Sequence, residues 1–184
     1  CLSIISRAVA SDVRSMSSIS TVSGMFFQYF FGIWFSMDAS PAEGYVYHNT
    51  IVGSEGRAAL EYSSFNASRS SATPRWHFLN NLAATKGGFF KQSRNTPAPD
   101  FIASHNVVLG KGAPWPGDAT RDQGSRYGVS LTLDAEGKPA AGSTAMDAGL
   151  DLSTYFHGRP LPGCEPGTFA GKAPDAGADE LPAR

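Results

Sequence analysis

Three short stretches, "GYVYHNTIVG" (Gly44 to Gly53), "WHFLNNLAAT" (Trp76 to Thr85) and "FIASHNVVLG" (Phe101 to Gly110), align on a single Asn. The aligned residues are Asn49, Asn81 and Asn106, at intervals of 32 and 25 residues. In each, a short apolar run precedes the Asn and another follows it. Self-similarity at this period marks stacked repeats, in which each copy buries its apolar face against the next. Strand alternation assigns the faces. Val46, Phe78 and Ala103 share one parity with Gly44, Trp76 and Phe101, and Ile51, Ala83 and Val108 follow the Asn; these columns are expected inside. Tyr45, Tyr47, His77 and Ser104 fall on the other parity and are expected outside.

Stacked copies lie about 4.8 Å apart. An Asn between two strands suits a sharp corner, because it tolerates the left-handed backbone such a bend needs. Stacked Asn side chains also bond to one another. The expected fold is therefore all-β, a short right-handed parallel β-helix, in one domain spanning residues 1–184. Residues 44–133 hold the coils. A third strand follows each pair: "LEYS" (Leu60 to Ser63), "FKQS" (Phe90 to Ser93) and, as the third copy, "YGVSLTL" (Tyr127 to Leu133). Residues 134–184 form an irregular closing segment.

Residues 1–43 are atypical. Ile4, Ile5, Val9 and Val13 recur at helical spacing, and "MFFQYFFGIWF" (Met25 to Phe35) is strongly apolar. That run is far shorter than the roughly 20 residues of a membrane helix, so no membrane span is expected. It either covers the open end of the stack, as a cap or homodimer surface, or forms an ordinary first coil. The start at Cys1 reads as a processed or trimmed product. Cys1 and Cys164 have no metal-type spacing.

Net charge is −1 and charged residues make up 17% of the chain, which gives no pull toward nucleic acid. Gly (20) and Pro (12) are abundant, as expected for many turns. There is no Gly-x-Ser-x-Gly elbow, no phosphate loop and no EF-hand loop.

"VYHNTIV" and "FLNNLAA" resemble the coil motif of the pectate-lyase-like superfamily of right-handed parallel β-helix proteins. "GSTAMDAGLDL" (Gly142 to Leu152), "HGRPLPG" (His157 to Gly163) and "APDAGADEL" (Ala173 to Leu181) resemble its closing segment. The usual order there is Gly-Ser-Pro-Ala-Ile-Asp-Ala-Gly, then Asp-Gly-x-x-Arg-Pro, then Pro-Asp-Ile-Gly-Ala-x-Glu. Thr144, His157 and Ala176 depart from it. The resemblance implies a secreted or periplasmic, bacterial-type protein that binds or processes polysaccharide, with acidic glycans the expected partners. By family analogy alone, Ca2+ is a candidate cofactor.

Elimination beside a uronate needs a base and a cation to neutralise the carboxylate. Lys91 and Glu61, on adjacent copies of the third strand, and Arg57 just before it are the catalytic candidates; a structural salt bridge is the competing reading of Glu61 and Lys91. Arg75, His77 and Lys86 are candidates for substrate binding. Trp115, on a proline-flanked loop, either stacks on sugar or pins the loop. His48 and His105, two rungs or about 10 Å apart, cannot share one metal, and no metal site is expected. Asp147, Asp151, Asp175, Asp179 and Glu180 read as turn formers, with a bound cation as the alternative. The competing functional class is a non-enzymatic module that self-associates through Met25 to Phe35.

Overall fold

The computed structural model describes residues 19–23, 26–28, 33–36, 43–52, 59–63, 75–85, 90–93, 100–109 and 122–181. Among these there is no helix. The strands follow in repeating groups. The first is β1 (Ile19–Ser23), β2 (Phe26–Gln28) and β3 (Ile33–Ser36). The second is β4 (Glu43–Tyr47), β5 (Thr50–Val52) and β6 (Leu60–Ser63). The third is β7 (Arg75–Leu79), β8 (Leu82–Ala84) and β9 (Phe90–Ser93). Then come β10 (Asp100–Ser104) with β11 (Val107–Leu109), and β12 (Asp122–Gln123) with β13 (Arg126–Val129).

The first three groups contribute one strand to each of three sheets, and among the described residues the last two contribute to the first two sheets only. The first sheet runs β1-β4-β7-β10-β12, the second β2-β5-β8-β11-β13 and the third β3-β6-β9. Every pairing is parallel, and equivalent residues stand in register, as in Tyr45 over His77 over Ile102. Within each sheet the strands stand in chain order, so each new strand pairs with the one the chain last laid down there, after a crossover through the other strands of its group.

"MFFQYFFGIWF" supplies β2 and β3, which pair with β5 and β6 as a regular first rung does. The expected helix at residues 4–13 lies outside the described residues. "YGVSLTL" is not a third copy of the third strand. Its first residues belong to β13, which pairs with β11 in the second sheet. The last corner was hidden because Gly124 and Ser125 stand where the three rungs before it have His or Asn followed by Asn.

The inner columns are as expected. Val46, Phe78, Ile51, Ala83 and Val108 are at most 1% exposed, and Trp76 and Phe101 are also buried. Gly44, the register partner of Trp76, leaves room for the indole: a Cβ there would lie 2.2 Å from the ring.

Asn49, Asn81 and Asn106 are fully buried and hydrogen-bonded in series. Asn49 Nδ2 donates to Asn81 Oδ1 at 3.0 Å, and Asn81 Nδ2 to Asn106 Oδ1 at 2.9 Å. The backbone N–H groups of Asn49 and Asn81 donate to the same two oxygens. Ser125 ends the series, its hydroxyl accepting from both nitrogens of Asn106. Buried amides are tolerated here because every rung satisfies the next.

The left-handed corner residue is not this Asn. It is the residue before it: His48, Asn80 and His105 have φ of 49°, 54° and 54°. The bend turns those side chains outward and leaves the following Asn free to face in. Asn and His are among the residues that enter this region at least cost.

The expectation of an outside face at Tyr45, Tyr47, His77 and Ser104 is also corrected: their exposures are 2%, 1%, 6% and 7%. Alternation reads the pleat but not a second layer. Residues 130–181, strand-free apart from isolated bridges, lie across the outer faces of two sheets. On the first sheet Leu152, Leu161 and Cys164 pack with Tyr45, Tyr47 and Leu79. On the second, Ala145, Ala148 and Ala176 pack with Leu82 and Val107. The Tyr47 hydroxyl donates to the Pro162 carbonyl at 2.8 Å, so a polar tip is satisfied under the cover.

Candidate functional site

The closing segment leaves part of the first sheet uncovered. There, β7, β10 and β12 meet Leu150 and Tyr155 in a cleft of about 490 Å3, lined also by Arg75, Asp100, Ile102, Ala103, Ser104 and Gln123. That volume lies in the range of small-ligand sites, roughly 300–1,000 Å3. Parallel register builds the wall. Arg75 and Asp100 are Cα partners one rung apart, and Arg75 Nε donates to Asp100 Oδ2 at 3.0 Å. The pair is open to solvent, with side-chain exposures of 57% and 24%, so its worth for stability is under about 1 kcal/mol. Ser104 and Gln123 are partners on the next rung.

His77 does not reach the surface. It stacks on Tyr45 with ring centroids 4.5 Å apart, and its Nδ1 lies 3.0 Å from the Tyr155 hydroxyl. Its place is behind the cleft wall, where it holds Tyr155. Arg75 therefore lines the cleft as a group that can meet a ligand, and His77 supports it at one remove. Glu61 and Lys91 are Cα partners in the third sheet, away from the cleft. Arg57, Lys86 and Trp115 lie outside the described residues. Asp100, Ile102, Gln123, Leu150 and Tyr155 were missed from sequence. Laying the repeats over one another would have placed Asp100 against Arg75, since each precedes the aromatic of its copy.

Donor accounting excludes a serine nucleophile beside the cleft. Ser104 Oγ lies 2.6 Å from His105 Nδ1, but its single proton goes to the Gln123 carbonyl at 2.9 Å. His105 Nδ1 must then donate to Ser104, so it cannot act as its base. Burial, and next the charge of Arg126, push the His105 pKa below the ordinary imidazole value.

The carboxylates of the closing segment serve its turns. Asp147 Oδ1 accepts from the N–H groups of Lys172 and Ala173, and Asp175 from those of Asp147 and Leu181. Glu180 accepts from Asp175 N–H, and Asp151 from Ser153 N–H. Among the described residues no group of three or more His, Cys, Asp or Glu could hold a metal ion. Cys164 is a free, buried thiol whose pKa is raised to about 11, first by burial and then by Glu165 and Asp151. It is protonated at neutral pH and a poor nucleophile. No helix among the described residues is long and apolar enough to cross a membrane.

Comparison with protein-family models, curated proteins and solved structures gives no match to this chain.

Proposed function

We propose that the chain is a right-handed parallel β-helix protein, akin to the pectate-lyase-like superfamily, that binds carbohydrate in the cleft between Arg75 and Tyr155. With that kinship goes a secreted or periplasmic location. One observation carries the reading: the cleft combines a charged pair, the Gln123 amide, the apolar Ile102 and a tyrosine ring fixed from behind by His77. Sugars ask for this mixture. Their hydroxyls both donate and accept, and their C–H faces pack on apolar and aromatic surface. A uronate carboxylate would have to compete with Asp100 for Arg75, so hydroxyl-rich neutral units fit at lower cost, and acidic chains bind more weakly as salt rises.

The test is calorimetric titration against a panel of neutral and acidic oligosaccharides. Arg75→Ala and Gln123→Ala should each weaken binding about tenfold, equivalent to about 1.4 kcal/mol. Binding by no member of the panel, or binding by both variants as tight as by the wild type, overturns the reading. The catalytic version, with Lys91 and Glu61 as candidates, predicts an ultraviolet-absorbing unsaturated uronate from an acidic glycan and its loss in Lys91→Ala.

A second reading, a self-associating module, rests on the end of the stack. Among the described residues β1, β2 and β3 each pair with a strand on one side, and an open strand edge is a pairing surface. It predicts a dimer by light scattering that Trp34→Asp dissociates; a wild-type monomer ends it.

A further inference from the structure

The corner between the first two sheets carries an outer column, His48, Asn80 and His105, beside the inner asparagines. Asn80 is gripped at both ends of its amide by the closing segment. Leu150 N–H donates to its Oδ1 at 2.7 Å, and its Nδ2 donates to the Leu150 carbonyl at 2.8 Å. A backbone N–H can only donate and a carbonyl can only accept, so Leu150 settles which end of the amide is nitrogen. That nitrogen lies 3.1 Å from His48 Nε2. An amide nitrogen offers no lone pair, so His48 Nε2 must accept, and the ring is neutral with its proton on Nδ1.

We infer that His48 and Asn80 form a proton-sensitive latch: a proton on His48 Nε2 faces the Asn80 N–H, breaks the contact and loosens the closing segment from the corner. Other attachments converge on the same point. Gly177 N–H donates to the Asn80 carbonyl at 2.9 Å and Ala178 N–H donates to Thr50 Oγ1 at 3.0 Å. Gly149 packs on the Asn80 amide and ties two parts of the closing segment together by donating to the Pro174 carbonyl at 2.7 Å. The latch does not depend on the glycan reading. Leu150 also lines the cleft, so release would open one of its walls.

The charged and titratable groups around His48 come from the closing segment. Asp151, Cys164, Asp179 and Glu180 line the same small pocket, of about 220 Å3, and Asp175 lies close enough to attract an imidazolium. Burial outweighs the backbone hydrogen bonds at Gly177 and Asp175 and the Asp175 charge, and lowers the His48 pKa below the ordinary value of 6.5. The released segment lets His48 return to that value. The hold is therefore complete above pH 6.5 and declines as pH falls below it, by at most about tenfold per pH unit. Glu180 runs the other way. Its pKa is raised by burial, so it favours the docked segment as pH falls and cannot imitate the latch.

The test is hydrogen exchange across residues 145–181 between pH 7.5 and 5.5, corrected for intrinsic rates, together with 15N detection of the His48 tautomer in the wild-type protein. Opening should grow severalfold per pH unit below 6.5 in the wild type and in Glu180→Gln, and should not grow in His48→Asn, where Glu180 alone acts and favours docking as pH falls. Asn is the residue that the next rung already carries in the same left-handed position, so that variant keeps the backbone. A proton found on Nε2 at pH 7.5, a wild type without the pH slope, or a slope that survives in His48→Asn overturns the inference.

Discussion

Two columns of polar side chains share one corner of this protein, a single residue apart, and they are satisfied in opposite ways. The inner one, Asn49, Asn81 and Asn106, is bonded along the stack: the amide oxygens of Asn81 and Asn106 each take two N–H groups from the neighbouring rung, and Ser125 finishes the series. The outer one, His48, Asn80 and His105, finds its partners case by case. Asn80 and His48 rely on residues of the closing segment, whereas His105 leans on Ser104. Identical backbone geometry thus yields a repeated, self-complementary element on one side and an irregular, individually adapted one on the other. Regularity carries the fold, and departure from it is where responses to ligand or proton can enter.

The harshest way to challenge this contrast is Asn81→Ala. It takes the Asn81 Oδ1 acceptor from two buried donors of Asn49, while the Asn106 oxygen keeps the Asn81 backbone N–H and loses only the side-chain donor, at about 1–3 kcal/mol for each unmet group. A loss of at least about 3 kcal/mol, read from the denaturant midpoint with one cooperative transition, is expected. Asn80→Gly is milder, because glycine keeps the positive φ and removes only the outer bonds. It should cost about 1–2 kcal/mol and speed hydrogen exchange around Leu150 while leaving the strands protected. A global loss as large as that of Asn81→Ala would erase the difference between the columns. Smallest is Arg75→Ala, which breaks an exposed pair. Stability should change by less than about 1 kcal/mol, sharpening the separation between residues that hold the fold and one that is free to serve the cleft.

Much of this was legible in the residues. The Asn alignment and the apolar parity identify the inner columns, because burial selects apolar side chains and a buried amide needs a partner at every rung. The first rung was obscure for want of the same Asn signature, and the fifth because Gly124 and Ser125 do its work with different groups. The left-handed position was misassigned by one residue, since His and Asn both tolerate that backbone and only the bond pattern tells which one bends. Tyr45, Tyr47 and His77 were read as solvent-facing because a polar tip on an aromatic ring is equally content under a cover that supplies a partner. Of the residues expected from sequence to bind substrate, Arg75 lines the cleft, whereas Gln123, Leu150 and Tyr155 come from segments whose approach no local pattern encodes.

The series of asparagines has a further consequence for how such a chain can change length. Successive members are 32 and 25 residues apart, yet their bonds are alike, so the seven-residue difference is absorbed entirely outside the corner. Excising or duplicating one whole turn, Asn to Asn, would rejoin like with like and leave no orphaned amide. Growth and shrinkage therefore come in complete layers, while a cut of any other size breaks the sequence of handshakes along the axis.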